Sequence, residues 1–381
     1  MNILVICHYL GEDAPATIYI HDQMKAFVEA GHRVRCAVLL PWGKQAYGVG
    51  RLSCAAPEID GVEYRYVRYL SLSNFGDGNG WNIRFAVSSI RCQLRRVLGD
   101  LQPDVIHAHT LGVSSACGAY CKRVLQRPLV VTTHGSDTSV PMERGQHQRM
   151  RMLCRDVDRV VAVSSALGDK LRQCGTSIPI CTILNGFALQ QLDSTAEKTQ
   201  LSFLQVSNLL PQKGVHTTIR AFARIHETYP DARLVIIGQG PQREALEELC
   251  DELGVADAVR FCGRLPNSKV LAEMSKTRFF VMPSVREGFG IVYLEAMACG
   301  CITIGTQGEG ISDLIVNGEN GFLVPADNPE RIVQIVKHCL ENSREADELA
   351  QRGSIAARQL TWYKNAERYL QLFSSLISRV S

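Results

Sequence analysis

The chain reads as α/β, two doubly wound domains whose parallel sheets are covered by helices on both faces. Three observations predict this. Short, near-continuously apolar, β-branched runs of strand length alternate with helical patterns along the chain, the mark of parallel sheets buried on both sides. A length of 381 residues is more than one ordinary core fills. The alternation is interrupted by the polar stretch "QLDSTAEKTQ", after which a second series of strands begins.

The first series runs "NILVICHYL" (2–10), "HRVRCAVLL" (32–40), "DVIHAHT" (104–110), "LVVTTHG" (129–135) and "RVVAVSS" (159–165). The second runs "LSFLQVSN" (201–208), "RLVIIGQG" (233–240), "AVRFCG" (258–263), "FFVMPS" (279–284), "ITIGT" (302–306) and "GFLVP" (321–325). These divide the chain into a domain over 1–187 and another over 200–360, with a linker near 188–200. In open parallel sheets ligands collect at the carboxyl ends of strands, so the loops that follow the strands are where chemistry is expected.

Composition narrows the class. Hydrophobic residues at 46% and charged residues at 21% are near average and argue against disorder. No apolar run approaches the ~18 residues of a membrane helix. The opening "MNILVICHYL" has no basic residue before its apolar run and no small-residue cleavage site, so it reads as a first strand rather than a signal peptide. Fourteen cysteines are scattered without zinc-like double spacing, as expected of small buried hydrophobes in a reducing cytosol. The net charge of +3 conceals an asymmetry: residues 1–187 hold 21 Lys/Arg against 15 Asp/Glu, the remainder 20 against 23. The first domain is therefore the one expected to meet an anionic partner.

The stretch "EGFGIVYLEAMACG" (287–300) carries two glutamates in an otherwise apolar setting. A helix is expected from about Gly290 to Cys299, stopped by Gly300 in a left-handed conformation. Glu287 then lies in the loop at the end of "FFVMPS", and Glu295 about one and a half turns into the helix. Either Glu295 pairs with an arginine on a narrow wet stripe, or both carboxylates accept hydrogen bonds from ligand hydroxyls while Gly288 and Gly290 let backbone N–H groups approach an anion. On this stretch alone the two readings stand level. The loop "VSNLLPQKG" shifts the balance, because Lys213 and Gly214 open the helix "VHTTIRAFARIH" and a lysine at a helix N-terminus suits a phosphate. "IIGQGP" (Gly238, Gly240) and "GEGISDLI" (Gly308, Gly310) add glycine-bearing turns on the same expected edge. Together they suggest a nucleotide diphosphate joined to a hydroxyl-rich group.

With these residues in place, the chain resembles the retaining glycosyltransferases of family 4, which have the GT-B architecture of two Rossmann-like domains facing across a cleft. "EGFGIVYLE" matches that family's E-x7-E motif, and "VSNLLPQKG" its phosphate loop; "THGSD" (133–137) and "NGF" (185–187) fit its first-domain motifs. The resemblance covers essentially the whole chain. It implies a catalytic set of His134, Lys213 and Glu287, with His134 touching the donor sugar or transition state and Lys213 neutralising the diphosphate. It implies donor binding by Asn208, Gly214, Gly238, Arg264, Gly288, Phe289, Gly290, Ile291 and Glu295, with Glu295 on the ribose hydroxyls. Asn208 stands where the family usually has arginine. Gly11, His109 and Asp137 are implied on the acceptor side, Gly11 being the single glycine of a loop that often carries two.

The resemblance also implies a nucleotide-sugar donor, UDP-sugars favoured, and a glycan or lipid-linked glycan acceptor in surface-polysaccharide synthesis. It implies hexosyl or N-acetylhexosaminyl transfer with no cofactor and no metal, in the cytoplasm or on the inner face of the membrane. The final helix, about 362–381, would return to the first domain. A nucleotide-sugar epimerase of the same fold and a non-catalytic nucleotide-sugar-binding subunit remain the alternatives, the latter favoured by Asn208 and the reduced glycine loop.

Other motifs weigh less. "RDVDR" (Asp156, Asp158) spells a metal-type DxD but precedes a strand rather than ending one, and reads as a helix end and strand entry. "HAH" (His107, His109) puts two rings on one strand face without a third ligand. No G-x-G-x-x-G follows the first strand, against a dehydrogenase. The segment "WNIRFAVSSIRCQLRRVLG" follows "NFGDGNG" and places Ile83, Ala86, Val87, Ile90, Leu94, Val97 and Leu98 on one helical face. Trp81 and Phe85, flanked by Arg84, Arg91, Arg95 and Arg96, fall outward, so residues 81–98 form either an ordinary packed helix or one that docks on an anionic membrane surface.

Overall fold

The computed structural model describes residues 1–8, 15–42, 58–71, 80–188 and 198–379. The chain divides into two compact units, Met1–Gly186 together with Trp362–Ser381, and Phe187–Thr361. Gly11 and most of the 188–200 stretch lie outside the described residues.

In the first unit the strands are β1 (Asn2–His8), β2 (Arg33–Trp42), β3 (Glu58–Ile59), β4 (Val62–Leu70), β5 (Val105–His109), β6 (Leu129–Thr133), β7 (Arg159–Ala162) and β8 (Ile180–Thr182). They lie in the order β3-β4-β2-β1-β5-β6-β7-β8, all parallel except the short β3. The strand order reverses at β1, between β2 and β5. Alternate residues of β1 serve opposite faces. Leu4 and Ile6 join the core formed with α2 (Gly80–Leu98) and α3 (Val113–Leu125). On β5, Ile106 and Ala108 share that core, while His107 packs against Phe27 of α1 (Pro15–Glu29) and Tyr369 and Phe373 of α13 (Trp362–Ile377). The last helix is bound by polar contacts as well: Asn365 accepts from Gln23 at 2.7 Å and donates to the Leu184 carbonyl at 2.7 Å.

Strands β3, β4 and β8 were not expected. In "VEYRYVRYL" charged residues interrupt the apolar pattern. The fold explains Glu63: Arg35 of β2, 1% exposed, is held by Glu63 of β4 and by Asp100 at 2.9 Å, so a carboxylate is required beside a buried guanidinium. Helix α2 also departs from expectation at one position. Trp81 is 55% exposed, but Phe85 is half-buried and packs on the core cluster instead of facing outward. Asn82, next to Trp81 in the chain, is buried instead.

The second unit is a six-stranded, fully parallel sheet in the order β11-β10-β9-β12-β13-β14. Its strands are β9 (Thr199–Val206), β10 (Arg233–Ile237), β11 (Val259–Phe261), β12 (Thr277–Val281), β13 (Ile302–Thr306) and β14 (Phe322–Val324). Here the order reverses between β9 and β12. Phe203 and Phe279, on those two neighbours, stack with centroids 5.0 Å apart and planes 11° apart, with Phe222 of α7 (Val215–Thr228) edge-on to Phe203. Each fully buried ring of this kind stabilises by about 2–3 kcal/mol. This packing holds the two central strands, and hence the loops leaving their carboxyl ends, in register.

Candidate functional site

Neighbouring β9 and β12 leave the second sheet where its strand order reverses, the position at which open α/β sheets hold ligands. After β9 the chain passes exposed Asn208, makes a 3-10 turn Pro211–Lys213, and enters α7 through Gly214 at φ +64°. After β12 it runs through Pro283 and Ser284 to Glu287, then enters α10 (Ile291–Ala298) through Gly290 at φ +79°. The two loops are tied together. The Val285 N–H donates to the Gln212 carbonyl at 2.8 Å, and the Ser284 hydroxyl to the same carbonyl at 3.2 Å. A Cβ on Gly214 would lie 2.3 Å from the Pro283 carbonyl oxygen, so only glycine permits this approach.

Across that junction Lys213 Nζ donates to Glu287 Oε2 at 2.5 Å, with both side chains mostly buried. Buried Gln205 of β9 holds the Lys213 carbonyl at 2.8 Å and so fixes the turn that presents the ammonium. An ammonium has three N–H donors, so one bond to Glu287 leaves two for a ligand anion. Glu287 is fixed from its other side too, its backbone N–H donating to Glu309 Oε2 at 2.9 Å and its carbonyl accepting from the Gly310 N–H at 3.3 Å. Gly310 lies so close to Gly288 that a Cβ there would be 2.1 Å from the Gly288 carbonyl oxygen. Glu309 was not singled out in the sequence; its position between two glycines in a strand-to-helix turn was the available signal.

Within α10, Tyr293, Leu294, Ala296, Met297 and Ala298 are buried, and Ile291 and Glu295 are half-buried. Glu295 Oε1 accepts from the Asn267 side chain of α9 (Asn267–Lys276) at 3.1 Å, so an amide is among its partners. The helix ends at Gly300, φ +74°. Phe289 is buried, so only its backbone remains to face a ligand. Burial, with Glu287 adding, pushes the Tyr293 phenol well up. It therefore stays a neutral donor, bonded to the Met282 carbonyl at 2.5 Å. Gly238 follows β10 and donates to the Gly263 carbonyl at 2.8 Å, which brings the loop of exposed Arg264 to the same sheet edge.

In the first unit His109 ends β5 and His134 follows β6. Their rings meet, His109 Nδ1 lying 3.0 Å from His134 Nε2. Tyr19 packs on His134 with centroids 4.8 Å apart, and His107 on His109 at 4.3 Å. Burial pushes His134 down to about 4, even though Asp137 acts the other way, and holds His109 well below the usual histidine range. Asp137, expected on the acceptor side, is engaged by the backbone around it. Its carboxylate accepts from the backbone N–H groups of His134 at 3.0 Å, Gly135 at 2.9 Å and Leu111 at 2.9 Å, which clamps the two loops together. Asp156 and Asp158 are drawn into pairs with Arg123 and Lys122, and Asp158 also accepts the Leu129 N–H, consistent with a strand entry. Among the described residues no helix is long and apolar enough to cross a membrane.

Comparison with known proteins follows the same division of the chain. Residues 16–191 match the model described as Glycosyltransferase Family 4, and residues 190–360 that described as Glycosyl transferases group 1. A glycogen synthase of Mycobacterium tuberculosis is 28% identical over 364 residues, covering 90% of this chain and 85% of its own. An uncharacterised glycosyltransferase of Methanocaldococcus jannaschii is 31% identical over 273 residues, 65% of this chain and 68% of its own. The crystal structure of Anabaena HepE in complex with UDP superposes with a TM-score of 0.75 at 20% identity, over 99% of this chain and all of that one.

Proposed function

Because this chain belongs to the family 4 glycosyltransferases of the GT-B fold, we propose that it carries out retaining transfer of a hexosyl or N-acetylhexosaminyl group from a nucleotide diphosphosugar to a glycan or lipid-linked glycan. The observation that carries this reading is the Lys213 ammonium, held by Glu287 at the strand-order reversal of the second sheet. The diphosphate takes the two free N–H donors of Lys213, assisted by the N-terminus of α7. Glu287 and the backbone from Gly288 to Gly290 receive the donor sugar, and Glu295, set by Asn267, receives the ribose hydroxyls. UDP in the HepE structure supports a uridine donor. His134 of the first unit contacts the donor sugar, and the acceptor is received by that unit.

In such a reaction the acceptor attacks the anomeric carbon from the face the diphosphate leaves, and a phosphate oxygen helps remove the acceptor proton. The protein therefore contributes charge stabilisation and alignment. Lys213 and the helix N-terminus act on the leaving group where other enzymes use a metal ion, so full turnover is expected in excess EDTA; complete loss would reverse that assignment. Incubation with labelled UDP-, GDP- and ADP-sugars and membrane extract tests the whole reading. A glycosylated lipid or glycan supports it, an altered free sugar nucleotide indicates an epimerase, and binding alone indicates a non-catalytic subunit.

We further propose that α2 rests on an anionic membrane surface. Trp81 is exposed, with the Arg84 guanidinium 5.2 Å from its ring centre, and Arg91 and Arg95 are exposed on the same helix. Binding to phosphatidylglycerol liposomes is expected to weaken severalfold in Trp81→Ala. Wild-type indifference to those liposomes would end the proposal.

A further inference from the structure

His109 and His134 stand 25 residues apart in the chain and meet at the carboxyl edge of the first sheet. Their ring planes differ by 19° with centroids 5.2 Å apart, so the 3.0 Å line between His109 Nδ1 and His134 Nε2 lies close to both planes. That is the geometry of an N–H···N hydrogen bond, in which one nitrogen donates and the other accepts. Burial keeps both rings neutral, so each carries a single proton.

Which nitrogen donates is decided on the far side of His109. Its Nε2 is buried and has no hydrogen-bond partner among the described residues. A proton there would be an orphaned buried donor, a rarer and more unfavourable fault than an unpaired acceptor. The proton of His109 therefore belongs on Nδ1, which donates to Nε2 of His134. His134, accepting at Nε2, carries its own proton on Nδ1. His107 against one ring and Tyr19 against the other hold both planes in place.

We propose that His109 is a positioning residue that locks His134 in its Nδ1–H tautomer, so that His134 meets the donor sugar as a hydrogen-bond donor through Nδ1. This rests on the proposed contact between His134 and the donor sugar. The His109 side of the pair is built entirely from the first unit, and its proton placement follows from the ring geometry and the unpaired Nε2.

The test is tautomer assignment by two-bond ¹H–¹⁵N correlation in the full, ligand-free chain with ¹⁵N-labelled histidine, the His134 signals being identified by their loss in His134→Gln. The expected wild-type result is a pyrrole-type Nδ1 and a pyridine-type Nε2 in His134. In His109→Phe, which keeps a ring but removes the donor, His134 is expected to revert to the Nε2–H form and kcat/KM to fall roughly tenfold. In His109→Asn, whose side-chain amide nitrogen takes the place of Nδ1, the tautomer and most of the lost activity are expected to return. An Nε2–H His134 in the wild-type protein overturns the proposal, whether or not His109→Phe folds. So does an unchanged tautomer in His109→Phe, or an Asn variant that matches Phe. Undiminished transfer by His134→Gln would overturn the sugar contact on which it rests, even with the tautomer as expected.

Discussion

Lys213 and Glu287 are 74 residues apart in the chain, and each is the other's ion-pair partner. In the ligand-free protein the carboxylate keeps the ammonium from being an isolated, half-desolvated cation. When a diphosphate arrives, the ammonium meets developing negative charge without having to be ordered first. Removing one such contact to a leaving anion raises a barrier by about 3 kcal/mol, so Lys213→Ala should slow turnover roughly a hundredfold while the fold persists. Steady-state kinetics at saturating donor would register this, and near-normal kcat would remove Lys213 from the mechanism. Lys213, Glu287 and Glu295 were legible in the sequence because their spacing and neighbouring glycines are local. The backbone clamp made by Asp137 was not, since a carboxylate after a strand reads the same whether it meets a ligand or three backbone N–H groups.

The joint between β9 and α7 shows what the elements contribute. Gly214 turns the chain at φ +64° directly beneath the Pro283 carbonyl, so the loop bearing Lys213 and the loop bearing Glu287 pack backbone to backbone. A side chain at this position meets two obstacles, a left-handed conformation that alone disfavours it by about 1–2 kcal/mol and a carbonyl already in the space. Gly214→Ala is therefore expected to lower the unfolding midpoint in urea and to reduce kcat together, as the Pro283 loop is displaced. A variant with unchanged stability would show that the junction is looser than drawn. Apolar strands such as β9 and β12 announce themselves by composition, because burial on both faces leaves no polar position. Strand β4, next to the edge of its sheet, did not, because Glu63 answers a buried arginine on the neighbouring strand. On α2 a 100° periodicity located the helix, yet the packing of Phe85 depended on the neighbouring core and not on the period.

At the scale of the whole molecule, the first unit carries a row of neutral histidines, His107 and His109 buried and His134 half-buried, that ties its stability to pH. Burial lowers His107 from 6.5 to about 3 and His134 to about 4. For a base whose folded pKa is depressed, the stabilising state is the neutral one. The contribution is complete above about 6.5, where the unfolded histidine is also neutral. It is lost as pH falls below that value, until about 4 for His134 and about 3 for His107. Each ring removes about 1.4 kcal/mol per pH unit across its window. Melting followed from pH 8 to pH 5 should show a flat upper range and a steep decline below about 6.5; a Tm independent of pH there would mean these rings are protonated at little cost.

What the sequence determined by itself was whatever depends on near neighbours in the chain: the alternation of apolar strands and helices, the resulting parallel sheets, and the loops at their carboxyl ends that carry Lys213, Glu287 and Glu295. Strand order belongs to the tertiary structure. That order sets β9 beside β12 and β5 beside β6, and so chooses Glu287 for Lys213, Asn267 for Glu295 and His109 for His134. Such pairings join residues tens of positions apart, where hydrogen-bond partners are selected by distance in space and by burial, neither of which is encoded in any local pattern of residue types.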